Sequence, residues 1–135
     1  MDAEWSRKLL EILIDNASRI LEAKFGVDRA ETTFFDIIDL LREDPLLKED
    51  FLARVRTTLE RHDSWGMEEG SVPRELIELA AHELRWPEFR ELAEGRLQGI
   101  FRGDSVLARS DMVHSIPAAF DDDWEDRMFY RRYGA

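Results

Sequence analysis

The sequence predicts an all-α fold of five to six helices, as a compact bundle or a short stack of helical hairpins. Three observations carry this: apolar residues recur at three- and four-residue steps along most of the chain, no alternating strand pattern of useful length occurs, and Gly and Pro fall between the periodic segments. With 135 residues, 44% hydrophobic and 36% charged, the chain is sized and composed for one folded domain, expected over residues 1–135. The loop at 63–70 divides it into sub-halves 1–62 and 71–135.

From Trp5 to Phe25, Trp5, Leu9, Ile12, Leu13, Ala17, Ile20 and Leu21 form the stripe of an amphipathic helix that Gly26 is expected to end. Asp28 and Glu31 have capping-box spacing ahead of a second stripe, Phe34, Ile37, Ile38 and Leu41, which Phe35 and Leu40 widen, so this helix is expected to be central. Asp44-Pro45 reads as an N-cap with proline at the first helical position, opening a third helix with Leu47, Phe51, Val55 and Leu59 inward. Residues 62–70, with two glycines and no period, form the long loop. Ser71 is expected to cap a fourth helix through Leu76, Ile77, Ala80 and Leu84, and Pro87 to force a break before a fifth. There Phe89, Leu92, Ala93, Arg96, Leu97 and Ile100 lie in register. Residues 104–119 read as a helical turn followed by a loop around Pro117. A last helix is expected to start near Asp121, with Asp122, Asp123, Glu125 and Asp126 at its positive end, Arg131 and Arg132 at its negative end, and Phe120, Trp124 and Met128 facing inward.

The absence of cysteine excludes a disulfide framework, a thiolate zinc site, an iron–sulfur cluster and a cysteine nucleophile. Thirty acids against nineteen bases give a formal charge of -11, which disfavours nucleic acid and anionic lipid and favours a basic protein partner through long-range steering. The acidic N-terminus lacks the basic start and apolar run of an export signal, and no apolar run approaches a membrane span, so a cytoplasmic location is expected.

The candidate chemistry is sparse. Glu78 and His82, four apart, fall on one helix side and could chelate a metal, but the second histidine of a zinc-protease motif is replaced by Trp86. His62-Asp63 has the form of a phosphohydrolase metal dipeptide, yet no histidine precedes it. Asp111 and His114, with Ser110 or Ser115, sketch a hydrolase without a nucleophile elbow. No cofactor and no metal are expected.

The tryptophans are more informative. Trp5 and Trp124 fit helix stripes and are expected in the core. Trp65 stands in a Gly-flanked loop beside Glu68 and Glu69, and either covers the core or anchors a partner; Trp86 lies at a helix corner. The candidate partner-binding residues are therefore Trp65, Glu68, Glu69, Trp86, Asp121, Asp122, Asp123 and Glu125, with no catalytic residue.

A small, cysteine-free, strongly acidic helical chain without a catalytic set resembles the immunity proteins that neutralise bacterial toxins, including the helical inhibitors of colicin-type nucleases. The stretches Val72-Pro73-Arg74-Glu75-Leu76 and Leu84-Arg85-Trp86-Pro87-Glu88-Phe89 have the look of a shared signature but match no named family. The resemblance covers overall character and carries over no individual residue. What it implies is an acidic face that docks over or beside a toxin's basic substrate site, blocking by occlusion. Two other readings stand beside it: a structural or regulatory subunit that self-associates as a homodimer through Trp86 and the fifth helix, and an enzyme using Glu78/His82 or Asp111/His114.

Overall fold

The computed structural model describes residues 2–62 and 68–134, and among these it is all-helical. Six α-helices run in order: α1 (Ala3–Glu22), α2 (Val27–Glu43), α3 (Leu47–Leu59), α4 (Arg74–Leu84), α5 (Glu88–Gly99) and α6 (Met112–Ala118). Two short 3-10 helices follow, Glu125–Phe129 and Arg131–Tyr133. No described helix is long and apolar enough to cross a membrane. The chain forms two compact units, Met1–Phe51 with Glu125–Ala135, and Leu52–Trp124, so the division falls inside α3 and just after Trp124. The divider expected at 63–70 lies mostly outside the described residues.

In the first unit α1 packs on α2. The buried residues of α1 are Ser6, Leu10, Ile14 and Ala17, and Trp5 is 54% exposed, so the core position expected for Trp5 is corrected. The apolar arc of α1 is wider than the face it buries, and Trp5 falls on the outer part. α2 buries Ala30, Phe34, Phe35, Ile37, Ile38, Leu40 and Leu41, the broad face its sequence predicts.

The caps differ from those expected. α1 ends at Glu22, and closure comes from Lys24 at φ 73°, with the Phe25 amide donating to the Ile20 carbonyl and the Lys24 amide to that of Leu21. Gly26 instead precedes α2 as its extended N-cap. Glu31 forms no capping box with Asp28; its two carboxylate oxygens accept from the Arg131 and Arg132 amides and fasten the C-terminal segment. There Tyr130 and Tyr133 meet Phe35 edge-on at 6.1 and 5.9 Å, and Arg132 stacks over the same ring at 4.0 Å. Asp44 closes α2 and accepts from the Leu46 amide, so Pro45 occupies a turn ahead of α3.

In the second unit α6 packs on both α4 and α5. Seven consecutive α4 residues, Leu76 to His82, are buried, which makes α4 the enclosed helix here. Its N-cap is Pro73; Ser71 is buried and accepts from Arg61, while the Val72 amide donates to Thr58 Oγ1. Pro87 separates α4 from α5 as its fixed φ requires. Pro117 lies within the last turn of α6, so the loop expected around it is helical. The last helix expected from Asp121 is a turn followed by the 3-10 segments. With three residues per turn the four-residue spacing of Trp124 and Met128 no longer shares a face: Trp124 is 6% exposed and Met128 77%.

Candidate functional site

The second unit is organised by a buried charged network. Arg96 lies on α5 in register with the apolar residues Phe89 and Ala93, and its side chain is inaccessible to solvent. A buried guanidinium needs its donors satisfied. Nε and Nη2 donate to the two carboxylate oxygens of Asp111 at 2.6 and 2.9 Å, and Nη1 donates to the Leu59 and Arg61 carbonyls at 2.9 and 2.6 Å. Asp111 in turn caps α6 by accepting from the Val113 amide at 3.1 Å. One side chain thus ties the end of α3, the middle of α5 and the start of α6. Burial alone would raise the Asp111 carboxyl, but the Arg96 hydrogen bonds, the Val113 amide and the charges of Arg96 and Arg74 outweigh it and hold it below its ordinary value.

Next to it, at the start of α4, Arg74 pairs with buried Glu78 at 2.9 Å. Glu75 Oε2 is buried with no hydrogen-bond partner. Burial pushes the Glu75 carboxyl up, a backbone hydrogen bond opposes this, the Glu78 charge adds to it and the Arg74 charge subtracts. A raised folded value means that folding is favoured by this group below the ordinary glutamate range and that the advantage is lost as pH rises through the folded value. Glu75→Gln is therefore expected to be more stable than the parent by roughly 1 kcal/mol at neutral pH, with the gain vanishing in acid; urea titrations at pH 4 and 7 measure it.

The candidate partner-binding surface gathers at the α4–α5 corner. Arg85, the C-cap of α4, takes a left-handed conformation at φ 55°. Its guanidinium donates to the His82 and Phe120 carbonyls and to Asp122 Oδ1 at 3.1 Å, so it braces the turn that follows α6 against the end of α4. Arg90 stacks over the Phe120 ring at 4.2 Å, and half-buried Trp86 stacks on Phe89 at 5.5 Å with the rings nearly parallel. Beneath the turn, Trp124 packs against His82, ring centroids 4.8 Å apart, and His82 Nδ1 lies 2.7 Å from the Ala119 carbonyl. On top, Asp121, Asp122 and Asp123 are all exposed, and Asp121 Oδ1 accepts from the Asp123 amide.

Arg85 and Arg90 therefore tie the turn that carries the three predicted aspartates to the α4–α5 corner, the corner to which Trp86 belongs in sequence. Glu68 and Glu69, also exposed, are organised separately by Arg61, which pairs with the Glu68 carboxylate at 3.5 Å and donates to the Glu69 carbonyl. Glu125 is exposed at the start of the 3-10 segment in the first unit. Trp65 lies outside the described residues. Sequence reasoning missed Arg85 and Arg90 as the braces of the corner, and no residue-type signal marks them. Arg96 did carry a signal: a charge in register with an apolar stripe.

The residues considered for chemistry are engaged otherwise. Glu78 pairs with Arg74, and His82 is buried between Ala119 and Trp124. Asp111 is committed to Arg96, whereas His114 is exposed with Nε2 3.1 Å from the Ser105 carbonyl. Among the described residues no group of three histidines and carboxylates is placed to hold a metal ion. Comparison with family models, curated proteins and solved structures finds no match to this chain.

Proposed function

We propose that the chain is a non-enzymatic acidic binding module that acts as an immunity or inhibitor protein, occluding the basic surface of a toxin or effector protein. The observation that supports this reading is the braced acidic turn: three adjacent exposed aspartates on a turn tied by Arg85 to the end of α4, next to which the half-buried Trp86 stacks on Phe89. Acids around an aromatic anchor suit an Arg- or Lys-rich partner, the charges setting encounter rate and orientation and the aromatic supplying a desolvated contact. Arg85 offsets part of the charge of Asp122, but that carboxylate is 96% exposed, so the pair is weak and Asp122 still contributes to the outward field. Glu68, Glu69 and Glu125 add to a formal charge of -11 that steers a basic partner and repels phosphate backbones. Location in the cytoplasm belongs to the same reading.

Affinity capture from the native cell at low ionic strength is the test. The parent is expected to recover a basic protein, and the variant with Asp121→Lys, Asp122→Lys and Asp123→Lys to recover at least about tenfold less of it. Equal recovery by the triple variant removes the acidic turn from the interface.

A further inference from the structure

We draw no further inference here: the strongest candidate, the outer face of α1 that carries the exposed Trp5 and Ile12, is an unpartnered apolar face, and nothing in the structure shows what covers it.

Discussion

Arg96→Met is expected to destabilise the protein by about 3–5 kcal/mol, the range found when one member of a buried, hydrogen-bonded ion pair is removed. The substitution is close in volume, so the cost comes from what is left behind. Asp111 stays buried at 5% exposure without its two donors, and the Leu59 and Arg61 carbonyls lose theirs. Asp111→Ala is expected to cost a similar amount, because it strands the guanidinium and also removes the α6 cap. Combining Arg96→Met with Asp111→Ser keeps a cap and leaves no buried charge, and is expected to recover more than half of the loss. The pH response separates the pair from simple packing. Asp111 has a lowered folded value, so its stabilisation is present above the ordinary aspartate range and is lost as pH falls through the folded value. Arg96→Met is expected to abolish that acid-side loss. Urea unfolding followed by circular dichroism between pH 3 and 7 reads both effects.

Trp124→Ala is the second large effect, expected at about 3–5 kcal/mol for truncation of a buried indole. The ring is 6% exposed against His82, and it closes the underside of the turn that carries Asp121 to Asp123. The variant should therefore lose protection of the Phe120 to Trp124 amides as well as global stability, which hydrogen exchange measures residue by residue. Trp124→Phe keeps most of the apolar contact and is expected to cost less than half as much.

Much of the fold is legible where broad periodic apolar segments are separated by strong local breaks. Pro87 separates two periodic segments, and α2 and α4 carry apolar faces broad enough to leave no choice of inward side. α1 was harder for a physical reason: its apolar arc holds two overlapping stripes, and only packing on α2 selects the one through Leu10 and Ile14. Caps were misplaced where long-range bonds outcompete local ones, as when Glu31 binds the amides of residues 100 and 101 positions away. Lys24 and Arg85 adopt left-handed backbone that nothing in their residue type announces. The C-terminal acids looked like a helix start, but they cap turns, and tyrosine packing on Phe35 orders the segment that follows. Of the candidate site, the aromatic and acidic members were readable from composition; the arginines that hold them together were not, because their role depends on contacts 30 to 37 residues apart.

The central claim is that the braced acidic turn steers this molecule onto a basic protein. The most direct measurement is the association rate constant with the captured partner between about 20 and 500 mM salt, a span over which the screening length shortens several-fold. The account predicts a rate that falls at least about tenfold across that range in the parent and much less in the Asp121–Asp123 lysine variant, with dissociation little changed. A parent association rate indifferent to salt, or equally steep in both proteins, contradicts it.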